Sequence, residues 1–195
     1  VSVTVPEGAT VVKDLLAVKA GSIIKGQLTD PGGKGVFGAF VGASKTSFGG
    51  VFESAEFKDP IVAGKETDAN GFYAIAVPAG SYFVKTFIHP DQGFINSEEK
   101  SVTIADAQTL TLNLQLRKAD LAITGKVFAG DQPVKQAFVW GWSKKGGYQE
   151  TFVQFDGSFR LNVTSQDTWT IAGASEINGV FYKSGEVAVI VGTVD

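Results

Sequence analysis

KSVTIADAQTLTLNLQLRKADLAITG, residues Lys100–Gly125, decides the fold of this chain. Leu110, Leu112, Leu114 and Leu116 alternate with polar residues, the period of a strand with one buried face. A second alternation starts at Leu121, so one strand closes a unit and the next opens another. The same stretch recurs without a gap at Val1–Gly26, VSVTVPEGATVVKDLLAVKAGSIIKG, 99 positions earlier. Self-similarity of this kind marks tandem units, and a spacing near 100 residues suits domains that each bury their own core. The expected boundaries are an N-terminal strand segment over 1–20, a first domain over 21–119 and a second over 120–195.

Composition narrows the class. The 195 residues include 24 Gly and 15 Phe, with no Cys or Met, and no stretch carries a helical apolar period, so an all-β chain is expected. Seventeen Lys and Arg against 20 Asp and Glu give a net charge of −3, with the cations scattered, which argues against a nucleic-acid surface. Absence of cysteine excludes a disulfide framework and a thiolate metal site. No apolar run is long enough to predict membrane insertion. The chain begins at Val1 without an initiator Met, and is expected to be an excerpt of a longer protein or a processed subunit.

Working outward, SIIKGQLTDPGGKGVFGAFVGAS (22–44) predicts a hairpin: Ile24, Gly26 and Leu28 inward, a turn at Asp30–Gly33, then Ala39, Val41 and Ala43 inward. Residues 46–65 are rich in Gly and Phe and are about a dozen longer than their counterpart, which predicts an inserted loop or short hairpin. TDANGFYAIAVPAGSYFVKTF (67–87) then gives a turn at Asp68–Gly71 and two strands, through Tyr73, Ile75 and Val77 and through Tyr82, Val84 and Thr86.

The second unit replays this order, with Tyr82, Val102 and Ile104 matching Trp169, Val189 and Val191 at one offset of 87. By that offset the second closing strand would start just past Asp195, while the N-terminal segment is a closing strand with no unit before it. In that segment Lys13 stands where Leu112 stands, so its register and partner surface stay open.

GQLTDPGGKGVFGAFV, TDANGFYAIAVPAGSYFV and the closing TLTLNLQL together resemble the carboxypeptidase regulatory-like family, close to the collagen-adhesin B-type domains. The resemblance implies two tandem seven-strand, Ig-like or transthyretin-like β-sandwiches, the second lacking its closing strand. It also implies an exported bacterial protein used as a stalk, adhesion or accessory module. Related adhesin domains cross-link an inward Lys of the first strand to an Asn or Asp of the last. Lys25 and Asn113 occupy those strands, but parity turns both outward, and Thr86 stands where the motif has its Glu.

Chemistry is sparse. His89 is the one histidine, in a polar loop, and supplies neither a metal site nor a Ser-His-Asp constellation. Asp30, Asp68 and Asn70 offer oxygen ligands for calcium, yet suit turn chemistry better, so no metal, cofactor or catalytic residue is expected. Alternation with Ala137, Val139 and Gly141 places Phe138, Trp140 and Trp142 together on an outer strand face, a surface for a neighbouring domain, a subunit or a glycan.

The expected function is non-enzymatic: an extracellular structural or adhesive protein, the repeat unit of a surface stalk or filament. Its partners would be neighbouring copies or adjacent repeats. Residues 10–18, through Val11, Leu15 and Ala17, could donate a strand to the second domain of a neighbour. The alternative is a carbohydrate-binding module using Trp140 and Trp142, with Trp169 or Tyr148.

Overall fold

The computed structural model describes residues 20–47 and 61–193, with positions 5–8, 10 and 12 of the N-terminal segment. The chain is all β among these residues apart from a 3-10 turn at Pro90–Gln92. The first half contains β1 (Ser22–Thr29), β2 (Phe40–Ser44), β3 (Ile61–Glu66), β4 (Phe72–Val77), β5 (Gly80–Phe87), β6 (Phe94–Ile95), β7 (Lys100–Ile104), β8 (Thr109–Thr111), β9 (Leu114–Gln115) and β10 (Arg117–Lys118). The second contains β11 (Leu121–Lys126), β12 (Phe128–Ala129), β13 (Gln132–Pro133), β14 (Phe138–Ser143), β15 (Tyr148–Phe152), β16 (Ser158–Val163), β17 (Asp167–Ile177), β18 (Val180–Lys183) and β19 (Val187–Val191).

One sheet of the first half runs β4-β1-β8, with β9 continuing along β1, and a second runs β3-β2-β5-β7. Between them lies one apolar core. Ile24, Leu28, Val41, Ala43, Val77 and Val84 are fully buried in it, and Leu110, Leu112, Leu114 and Leu116 join from the closing segment. Alternation along β1 is complete, with Ser22, Ile24, Gly26 and Leu28 buried and Ile23 and Lys25 exposed. Ile24 and Leu28 each contribute about 1.5–3 kcal/mol of burial, which fixes the register because a one-residue slip would turn both to water.

The turns follow their residue chemistry. Asp68 accepts from the Asn70 and Phe72 amides at 2.8 and 2.9 Å, and Gly71 takes φ +81°, a conformation that costs glycine nothing. Asp30 likewise accepts from the Lys34 amide at 2.9 Å.

In the second half β11 pairs with β16, and a larger sheet runs β15-β14-β17-β18, with β19 also on β17. Correspondence with the first half extends to individual pairs. Tyr82 faces Val102 and Gly80 faces Ile104; 87 positions on, Trp169 faces Val189 and Asp167 faces Val191. Gly26 opposite Tyr73 likewise becomes Gly125 opposite Phe159.

The closing segment lies parallel to β1, pairing Ile24 with Leu110 and Leu28 with Leu114. It breaks at Leu112–Asn113, where the Leu112 carbonyl sits on the space a Cβ at Gly26 would fill. At Gly125 an added Cβ would meet the edge of the Phe159 ring at 2.8 Å, a side chain that can turn aside. Gly26→Ala should therefore lower stability by about 1–3 kcal/mol and Gly125→Ala by clearly less. Thermal unfolding of the two variants checks this, and equal losses would contradict it.

Candidate functional site: an open sheet edge and an aromatic face

Among the described residues the two halves differ at the outer edge of their first strand. β1 is flanked on both sides. Its closing side carries Ile23 N–H donating to the Gln108 carbonyl at 2.9 Å, Leu112 N–H to the Lys25 carbonyl at 2.7 Å and Leu116 N–H to the Thr29 carbonyl at 2.9 Å. Where the strand breaks, side chains take over: Gln27 N–H donates to Asn113 Oδ1 at 3.1 Å, and Tyr73 Oη donates to the Leu112 carbonyl at 2.5 Å.

Among the described residues β11 pairs with β16 alone. Ile123 and Val127, the counterparts of the fully buried Ile24 and Leu28, are only half-buried. Phe159 stands for Tyr73 and has no hydroxyl to offer a closing strand. Among the described residues no strand covers the other edge of β11, and an open edge above a half-covered apolar floor is a template for one more strand. Val11, Leu15 and Ala17, the residues expected to fill it, lie outside the described residues.

Parity on β14 follows the alternation, with Ala137 and Val139 each 2% exposed toward the core. The expectation of three open rings on the other face needs correction, because Trp140 is 3% exposed. Residues of β14, β15, β17 and β18 cover it: Ala172 and Ala174 form a cluster with it, and Phe138, Trp142, Tyr148 and Phe181 pack around. Lys183 Nζ lies 5.9 Å from its ring.

Phe138 and Trp142 are half-buried. Trp169 is fully buried in the second core, and Tyr148 is turned toward the first half. On the strand paired with β14, Phe152 stands open, 73% exposed, at 5.3 Å and 60° from Phe138. These two rings separate a cleft of about 570 Å³, walled by Phe87, His89, Phe159 and Arg160, from one of about 500 Å³ lined by Lys135, Gln136, Glu176 and Phe181. Phe152 also lies on an alternating strand, but its neighbours gave no sign of which face stays open.

A buried polar seam joins the halves, and sequence reasoning missed it. Lys85, on the outer face of β5, is 3% exposed, with its Nζ 2.7 Å from the centre of the Tyr148 ring. Tyr148 Oη donates to Glu150 Oε2 at 2.6 Å, and Ser47 Oγ donates to Glu99 Oε1 at 2.7 Å. Desolvation lowers the Lys85 pKa to about 7, although Glu150 and Glu99 oppose the shift. Burial also raises Glu150, against the Tyr148 hydrogen bond and Lys85. Nearby, Gln149 Nε2 donates to the Phe94 carbonyl at 3.1 Å and Asn162 Nδ2 to the Pro90 carbonyl. Ile95, from β6, is fully buried in the second core with Val163, Trp169 and Val191.

The remaining candidates are occupied locally. His89 is exposed beside Asp91, its Nδ1 3.2 Å from that carboxylate. Asp30 and Asp68 spend their carboxylates on turn amides. Among the described residues no group of three or more His, Cys, Asp and Glu could hold a metal, and no helix is long and apolar enough to cross a membrane.

No protein-family profile matches the chain, and no curated relative does. Among solved structures it is similar to a streptococcal ancillary pilin, at 14% identity and TM-score 0.38, over 88% of this chain and 61% of that one. It is similar also to the shaft pilin SpaA of Lactobacillus rhamnosus GG, at 12% identity and TM-score 0.38, over 87% and 93%. A third is a putative carbohydrate binding protein from Bacteroides uniformis, at 12% identity and TM-score 0.31, over 88% and 99%. The chain thus spans less than two thirds of the ancillary pilin. Likeness at this level leaves function to the chain's own residues.

The seam sets a pH dependence. With its folded pKa at about 7 against an ordinary 10.5, Lys85 binds fewer protons folded than unfolded between those values. Its contribution therefore rises with pH across that window and is lost as pH falls through 7. The slope is at most about 1.4 kcal/mol per pH unit. Urea midpoints from pH 7 to 9 should rise less in Lys85→Met than in the wild type, and parallel profiles would refute the assignment.

Proposed function

We propose that this chain is a non-enzymatic structural and adhesive protein of a cell surface. Its β-sandwiches stand in series, and a closing strand from a neighbouring copy or repeat completes the second. The observation that carries this is the edge of β11, bare among the described residues where the matching edge of β1 is fully paired. Strand addition supplies both main-chain hydrogen bonds and an apolar face, so one short segment can hold successive units together. The polar, ring-stacked seam suits a joint that keeps consecutive sandwiches in fixed orientation. Deleting residues 1–20 should abolish assembly, read as particle size by light scattering and as length in electron micrographs. Unchanged assembly would overturn strand completion.

The aromatic ridge supports a second reading, glycan adhesion. Phe152 projects into solvent between two clefts whose rims carry Gln136, Gln154, Arg160 and Glu176. A flat ring flanked by amide and charged groups is a surface that sugar rings stack on. Titration with a polysaccharide panel, followed by Trp fluorescence, should give a saturating change that Phe152→Ala weakens at least severalfold. A flat response across the panel would remove this reading and leave the ridge as a protein contact.

A further inference from the structure

Phe152 stands between two clefts, and the charges around it decide which of them a sugar enters and what kind of sugar fits. The cleft of about 570 Å³ is built from both halves of the chain. One wall is β16, which presents Ser158 and Arg160, and the other is the turn at Pro90–Gln92 with His89 before it and Asp91 within it. Asn162 lies two residues beyond Arg160, on the same side of β16. Its Nδ2 donates to the Pro90 carbonyl, so one hydrogen bond holds the turn of the first half against the strand of the second. Phe152, from β15, lines the same cleft with its open ring.

Among the described residues the titratable side chains lining this cleft are His89, Asp91, Glu150 and Arg160. The two carboxylates are engaged: Asp91 lies 3.2 Å from His89 Nδ1, and Glu150 Oε2 accepts from Tyr148 Oη at 2.6 Å. Arg160 is exposed, and among the described residues its guanidinium has no hydrogen-bond or ion-pair partner. The unpartnered charge of the cleft is therefore positive. It is also a planar fork of N–H donors, a shape that takes a carboxylate through two parallel hydrogen bonds. The cleft on the other side of Phe152 is lined by Lys135 and Glu176, one charge of each sign, and has no such preference.

A ligand matched to these groups needs a flat apolar face for Phe152, hydroxyls for the Gln154 amide and the Ser158 hydroxyl, and a carboxylate for Arg160. A uronic acid residue carries all three, because its ring has an apolar C–H face, its hydroxyls radiate from the edge, and its carboxylate is fixed to a ring carbon. A nucleic acid is a poor match: a chain of net charge −3 with one open guanidinium in the cleft cannot neutralise successive phosphates. We infer that the cleft between Phe152 and Arg160 binds an acidic polysaccharide through a uronate residue, its carboxylate on Arg160 and its ring face against Phe152. This rests on the glycan reading of the aromatic ridge.

The test is calorimetric titration of the whole chain with four probes: galacturonic acid oligomers, uncharged galactose oligomers of the same length, sulfated galactose oligomers and polyglutamate. The galacturonate should bind about tenfold more tightly than the neutral oligomer, and added salt should shrink that difference. Arg160→Gln should remove the difference and leave binding of the neutral oligomer in place. Arg160→Lys keeps the charge without the fork and should restore only part of it, while Phe152→Ala should weaken both oligomers. Arg160 is exposed, so its variants should melt with the wild type. Equal affinity for galacturonate and galactose, or selectivity unchanged in Arg160→Gln, would overturn the uronate assignment and leave the glycan reading standing. Sulfated oligomers or polyglutamate binding as tightly as galacturonate would overturn it too, in favour of a general anion site. If neither oligosaccharide binds, the glycan reading falls with it.

Discussion

Everything in the first half depends on a parallel strand closing over β1. Its leucines complete the core, and its amides and carbonyls satisfy an edge that would otherwise stay exposed. The contact is close enough that Gly26 must lack a side chain, because the Leu112 carbonyl occupies the space, and Tyr73 reaches across to hydrogen-bond that same carbonyl. An unpaired polar edge above an apolar floor is costly in water and invites pairing. Among the described residues the strand is present on one half and no counterpart covers the matching edge of the other.

The joint ties the two halves of the chain together. Ile95 leaves the first half and is buried in the second core, beside Trp169. Around it, polar contacts fix the angle: Lys85 against the Tyr148 ring, Gln149 to the Phe94 carbonyl and Asn162 to the Pro90 carbonyl. Buried charges of this kind add little net stability but penalise misalignment, since separating Lys85 from its carboxylates leaves each desolvated without a partner. In this joint, polar contacts hold the orientation and an apolar plug supplies the cohesion.

Much of this was legible beforehand, and the legible part is local. Alternation set the faces of β1, β4 and β14, and Asp68 with Gly71 set a turn, because side-chain period and turn chemistry depend on neighbours in the chain. The repeat gave the equivalences, Tyr82 with Trp169 and Val102 with Val189, and the sheets pair the equivalent residues in the same way. The parity that turned Lys25 outward also agrees with its exposure.

What the sequence by itself determined was thus an all-β chain with repeating strand order and a known inward face for β1, β2, β4, β5, β14 and the closing strand. Tertiary structure alone decided what covers the outward faces. Trp140 has outward parity yet is buried, because residues from β17 and β18 pack over it, while Phe152 stands in solvent. Lys85 reads as a solvated charge on an outer face until the second half is laid against it. Parity states the side to which a residue points; burial depends on what a distant part of the chain brings there, and that is a property of the folded whole.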